Sequence, residues 1–171
     1  RVVSELANRF SDQLVVLRGF EIEVVPSTSY REKMIAYRRS GNFDYMVGSV
    51  HYVDEVSIDG SMEEFHLIKN DLGGLEALAI RYYEIVAEMI DALHPEVLGH
   101  LDLLRKNAGA EAILDTPAIR HEVDGALEAA RACGAILDLN TAGYRAGLGA
   151  PYPAPWLVKR AHAMGLTFCF G

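Results

Sequence analysis

The sequence predicts an α/β fold built on parallel strands. Three observations carry that reading. Short runs rich in Val, Ile and Leu alternate with stretches of helical period. Most strand-like runs are separated by long crossings rather than tight hairpins, as parallel pairing requires. Half of the 171 residues are apolar, enough for one domain with a real core.

In chain order, Val2, Val3, Leu6, Ala7 and Phe10 have helical spacing. Leu14 to Val25 reads as one or two adjoining strand segments. Ser29-Tyr30-Arg31-Glu32 has the form of a capping box and opens a helix to about Arg39, stopped by Ser40-Gly41. Tyr45 to Val53 is β-branched and aromatic and reads as a strand, followed by an irregular segment from Asp54 to Asp71. Leu75, Leu78, Ala79, Tyr82, Val86, Met89, Ile90 and Leu93 mark one face of a long helix. Val97 to His100 is a short strand. Thr116-Pro117 caps the next helix, Gly134 ends it, and Ala135 to Leu139 is a buried strand. A helix from Pro155 to Gly165 and a strand over Leu166 to Phe170 complete the series. The opening inside a helix and the stop at Gly171 lead us to expect a single partial domain over 1–171, cut at both ends. A cut barrel would expose apolar edges and favour association.

The composition excludes several function classes. The chain has 24 acidic and 16 basic residues, a net charge of −8, and no Lys/Arg run. General nucleic-acid binding is therefore not expected, although a local cationic pocket is compatible. No stretch reaches the ~18 apolar residues of a membrane-spanning helix. Cys133 and Cys169 cannot make a disulfide framework or a four-thiolate zinc site and read as reduced thiols in apolar surroundings. No secretory or transit signature opens the text, so the cytoplasm is the expected compartment. Walker, dinucleotide, nucleophile-elbow and zinc-protease motifs are all missing from the text.

In parallel α/β folds, ligands gather at the carboxyl ends of the strands. Glu21, His51, His100, Asp138 and Asn140 all fall at or just beyond such ends. Carboxylate and imidazole groups arriving from several strands at one mouth are what a divalent metal needs. A hydrogen-bonded structural role is the commoner fate of any one histidine, and the long spacing is no local fingerprint. His66, His94, His121 and His162 fall in irregular or helical positions and read as surface residues, and Asp102 as ordinary surface charge.

Four segments resemble one known family. Gly19-Phe20-Glu21-Ile22-Glu23 is similar to the Gly-Leu-Glu strand of the polymerase-and-histidinol-phosphatase (PHP) family. Gly48-Ser49-Val50-His51-Tyr52-Val53 resembles its Ser-Val-His strand, and Gly99-His100-Leu101-Asp102 the Gly-His segment of histidinol-phosphatases. Leu137-Asp138-Leu139-Asn140-Thr141-Ala142-Gly143-Tyr144-Arg145, followed by Pro151-Tyr152-Pro153, resembles their Asn-Thr-Ser-Gly-x-Arg stretch, with Ala142 in place of the usual Ser. The blocks run in the family's order across nearly the whole chain. The family's opening His-x-His and closing Ser-Asp-x-His are not in this sequence.

The resemblance implies part of a distorted (β/α)7 barrel and a metal-dependent phosphoesterase. It implies Glu21, His51 and His100 as metal ligands, with Glu21 bridging, and two or three Zn, Mn or Fe ions in the full-length parent. Arg105 and Arg145 are the expected phosphate-binding residues, because a guanidinium fork matches two phosphate oxygens. The implied substrate is L-histidinol phosphate, in histidine biosynthesis. Three alternatives stay open: another phosphate ester as substrate, a catalytically inactive fragment serving as scaffold, or another metal-dependent barrel such as a sugar-isomerase relative. The sequence does not specify an oligomeric state.

Overall fold

Five short parallel strands form one sheet in the order β1-β2-β5-β6-β7: β1 (Gly19–Glu21), β2 (Tyr45–Gly48), β5 (Val97–Leu98), β6 (Ile136–Leu139) and β7 (Phe168–Phe170). The computed structural model describes residues 2–41, 43–110 and 112–171. Helix α1 (Val2–Arg9) precedes β1, and between the strands lie helices α2 (Tyr30–Ser40), α3 (Met62–Asp71), α4 (Leu75–Leu93), α5 (Arg105–Ala108), α6 (Pro117–Cys133), α7 (Ala142–Arg145) and α8 (Pro155–Ala163). A separate antiparallel hairpin joins β3 (Tyr52–Val53) to β4 (Val56–Ser57). The α/β class with parallel strands is thus present, as the alternating pattern predicts.

The core lies between the sheet and the long helices. Met46, Leu98 and Leu137 project from one face of the sheet, and all are at most 1% exposed. They join a cluster that includes Leu78, Tyr82, Val86, Met89 and Ile90 of α4 and Ile119, Val123 and Leu127 of α6. Each such side chain contributes about 1.5–3 kcal/mol by leaving water. Gly48 lets α4 approach: a Cβ there would sit 2.8 Å from Met89 Sδ and 2.8 Å from Pro95 Cγ.

The helix ends follow the sequence signals unevenly. Thr116 accepts from the Ile119 N–H and Pro117 opens α6, while Gly134 closes it at φ +76°. The capping box expected at Ser29 does not form, since no side-chain bond caps α2 there. A full capping box instead links Ser61 and Glu64 at the start of α3, within the segment expected to be irregular. That segment also holds the tight hairpin, whose two turn residues Asp54 and Glu55 have φ +45° and +70°. The expected strand over Leu14 to Val25 narrows to β1, and Leu14, Val15 and Leu17 are exposed.

Candidate metal centre

Parallel pairing aligns the strands so that β1, β2 and β5 end side by side. Glu21 is the last residue of β1. His51 and His100 lie just past β2 and β5. His51 Nε2 is 3.5 Å from Glu21 Oε1, and His100 Nε2 is 3.3 Å from the same oxygen. The two imidazole rings have centroids 5.0 Å apart. One donor atom from each of the three residues lies within 4.8 Å of the others.

Local backbone explains why the histidines turn inward. His51 O accepts from the Ile58 N–H, which ties the segment after β2 to the residue just past β4. Gly99 N donates to Gly48 O, extending the β2–β5 ladder by one bond. His100 then adopts φ +25°, an uncommon conformation for a residue with a Cβ. The turn over 101–104 follows, with Leu101 and Leu104 buried as its anchors.

The electrostatics keep Glu21 ionised and favour a proton on His51. The hydrogen bond from His100 holds the Glu21 carboxyl down at about 2; partial burial opposes this, and the charges of both histidines add to it. Burial works against the His51 cation, but the hydrogen bond and charge of Glu23, together with the charges of Asp59 and Glu21, outweigh it and raise that imidazole. His100 Nδ1 is buried without a hydrogen-bond partner among the described residues. One half-exposed carboxylate and two part-buried imidazoles, converging on one space, are a donor set of the kind that holds a divalent ion.

A cleft of about 370 Å³ adjoins the cluster, lined by His51, Asp59, His100, Lys106, Arg145 and Tyr152 among others. Arg145 ends the short helix α7. It is exposed and has no ion-pair partner among the described residues. Lys106 donates to the Asp59 carbonyl at 2.6 Å. Arg105 is turned the other way. Its Nη1 donates to Asp102 Oδ2 at 3.2 Å and to the Pro151 carbonyl at 3.0 Å, and its guanidinium faces the Tyr152 ring.

Asp102 is not the surface charge that its sequence position suggests: it is 2% exposed. Its Oδ2 also accepts from the Ala154 N–H at 2.7 Å. Burial raises its carboxyl, while Arg105 and the Ala154 N–H pull it back. This buried pair ties the segment behind His100 to the loop that carries Tyr152. Asp138 and Asn140 lie apart from the cluster and pair with each other at 2.9 Å. His66, His94, His121 and His162 are exposed. Sequence reasoning missed Glu23, Asp59 and Lys106 as neighbours of the centre. Only Glu23 carried a signal, two residues from Glu21 on the same side of an extended chain.

No family model matches the chain. A Schizosaccharomyces pombe protein described as a probable histidinol-phosphatase is 30% identical over 158 residues, covering 90% of this chain and 51% of that protein. A Deinococcus radiodurans protein with the same description is 31% identical over 170 residues, covering 99% of this chain and 61% of that protein. The chain therefore spans little more than half the length of the curated relatives it matches. Among solved structures, a Listeria monocytogenes protein named as a histidinol phosphatase superposes with a TM-score of 0.85 at 24% identity, over 99% of this chain and 67% of that one. A Lactococcus lactis histidinol phosphate phosphatase, complexed with zinc, L-histidinol and phosphate, gives 0.75 at 19% identity, over 99% and 63%. At those identities the structures speak to the fold alone. In sequence this chain is similar to proteins of the histidinol-phosphatase type, and in fold it matches the same group.

Proposed function

We propose that this chain is part of a PHP-type, metal-dependent phosphoesterase that converts L-histidinol phosphate to L-histidinol and phosphate, in histidine biosynthesis. The observation that carries the reading is the convergence of Glu21, His51 and His100 beside a cleft walled by Arg145 and Lys106. The similarity to histidinol-phosphatases directs the choice of substrate.

In this reading Glu21, His51 and His100 are metal ligands. A divalent ion held by these three residues would supply Lewis acidity and a bound water acidified towards ~7. Three donors suit one ion with a position left open. A second or third ion needs donors beyond these three. The residues themselves divide the remaining work. Glu21, kept ionised, offers the negative charge the ion needs. Arg145 grips the phosphoryl oxygens with two parallel N–H donors, and Lys106, lining the same cleft, adds a point charge. Arg105 supports substrate binding from behind, by holding Pro151 and Tyr152 at the cleft. The half-enclosed cleft strengthens these contacts relative to open water.

The test uses the 171-residue chain and the full-length gene product in parallel. Metal content and phosphate release are measured with L-histidinol phosphate, a sugar phosphate and a nucleoside monophosphate. The reading expects bound divalent metal, lost in Glu21→Gln and His100→Ala, and preference for L-histidinol phosphate in the full-length protein. Equal turnover of all three esters would overturn the substrate assignment. Full activity in both variants would overturn the site.

A further inference from the structure

Glu23 has both carboxylate oxygens engaged. Oε1 accepts from its neighbour Val24 N–H at 2.8 Å, and Oε2 lies 2.9 Å from His51 Nδ1. The side chains of the pair are 32% and 22% exposed, so the contact is substantially shielded from water. An ionised carboxylate only accepts, so the ring nitrogen facing it must carry the proton. The opposite nitrogen, Nε2, then presents its lone pair, and Nε2 is the atom that faces Glu21. His100 has no such support, because its Nδ1 is unpartnered among the described residues. The cluster thus has one histidine oriented from behind and one that is not.

We propose that Glu23 is the positioning residue of the cluster: it holds the His51 proton on Nδ1 and so aims the Nε2 lone pair at the space shared with Glu21 and His100. Its effect on metal holding rests on the metal-centre reading above; its effect on the tautomer does not. A carboxylate behind a ligating imidazole fixes the ring's orientation and raises its basicity, and losing such a partner costs about 10- to 100-fold in metal affinity. Glutamine cannot replace it. If the amide oxygen accepts from the Val24 N–H, the amide NH2 faces Nδ1 and forces the proton to Nε2. If the oxygen accepts from Nδ1, the NH2 confronts the Val24 N–H, donor against donor.

Two measurements on the 171-residue chain test this. The first is long-range ¹H–¹⁵N NMR of the His51 ring in metal-free protein, at alkaline pH where the ring is neutral. The expected result is a protonated Nδ1 in the unaltered chain and a shift towards protonated Nε2 in Glu23→Gln and Glu23→Ala. A protonated Nε2 in the unaltered chain, or a tautomer that ignores both substitutions, overturns the proposal. The second is zinc affinity, by competition with a chromophoric chelator. A loss of about 10- to 100-fold is expected for both variants, with circular dichroism unchanged. Unchanged affinity alongside a shifted tautomer overturns the claim that Glu23 tunes metal holding. If the unaltered chain binds no zinc, the metal-centre reading fails, and the NMR result still decides the role of Glu23.

Discussion

Arg145 and Lys106 line the same cleft as His51 and His100, yet they differ in what holds them. Lys106 is tied to Asp59 through its carbonyl, with the carboxylate 3.6 Å away, so part of its charge is already answered. Arg145 has no ion pair among the described residues, so its guanidinium is available to an incoming anion. On the proposed function, Arg145→Ala in the full-length gene product should leave the metal content intact and lower kcat/KM by about 1.5–3 kcal/mol, the range of a charged hydrogen bond. That is roughly a 10- to 150-fold loss. Arg145→Lys should recover only part of it, since an ammonium has no planar fork. Steady-state kinetics with metal analysis of each variant checks this, and unchanged kinetics in both would remove Arg145 from the site. Arg105 behaves differently. Its partners Asp102 and the Pro151 carbonyl are buried behind the cleft, so Arg105→Ala strands a nearly buried carboxylate. The expected readout is lost stability, about 3–5 kcal/mol for breaking a buried pair, before any kinetic effect. Urea unfolding measures it directly.

At the scale of elements, α4 and α6 pack chiefly against each other, and α4 also meets β2. Leu127 and Ile90 are fully buried between them and their neighbours, and neither has room to be replaced by solvent. Leu127→Ala should cost about 2–5 kcal/mol, the sum of lost transfer and a residual cavity, read by urea or thermal unfolding. An exposed ion pair also joins α6 to α8. Arg160 reaches both oxygens of Asp124 at 2.7 Å. That bond holds the Asp124 carboxyl below the ordinary carboxylate range. A depressed folded-state pKa contributes stability that is present above the unfolded value and lost as pH falls through the folded one. Arg160→Gln should therefore narrow the stability gap between neutral and strongly acidic pH. The pair is surface-exposed, so the effect is small and weaker at high salt. Acid titration of unfolding in both chains would show it, and identical profiles would remove the pair from the stability of this face. The same elements show what could be read in advance. The period of α4, the Thr116-Pro117 start and the Gly134 stop are local signals, and each is realised. The β3–β4 hairpin was hidden because Asp54-Glu55 is a poor match to the glycine-bearing dipeptides that favour such turns. The residues 14–18 look like a strand, but strand identity depends on a partner, and only Gly19 onward finds one in β2. For the candidate centre, strand ends nominated Glu21, His51 and His100 together with Asp138 and Asn140, the family resemblance singled out the first three, and those three converge. Asp59 was not legible, since it arrives through that unforeseen hairpin.

For the molecule as a whole, the two faces of the sheet differ. One is covered by α4 and α6. The other borders a groove of about 660 Å³ lined by Val15, Leu17, Val47, Val97, Ile136 and Phe170, among others. Val15 and Phe170 are 89% and 90% exposed, which is unusual for large apolar side chains beside a sheet. Each strand of this sheet is two to four residues long, so the edge offers only a few unpaired backbone groups. The association it drives should therefore be weak and apolar rather than a strand-by-strand zipper. Studied alone, the 171-residue chain should self-associate with rising concentration, and its apparent mass should climb above 18.8 kDa in sedimentation velocity. Val15→Glu together with Phe170→Glu should return it to a monomer without changing the circular dichroism, because neither side chain belongs to the buried cluster. Added salt should strengthen the association of the unaltered chain, since salt screens the mutual repulsion of molecules that each carry a net charge of −8. A chain that stays monomeric at high concentration, in low and high salt alike, would show that this face is adequately solvated as it stands.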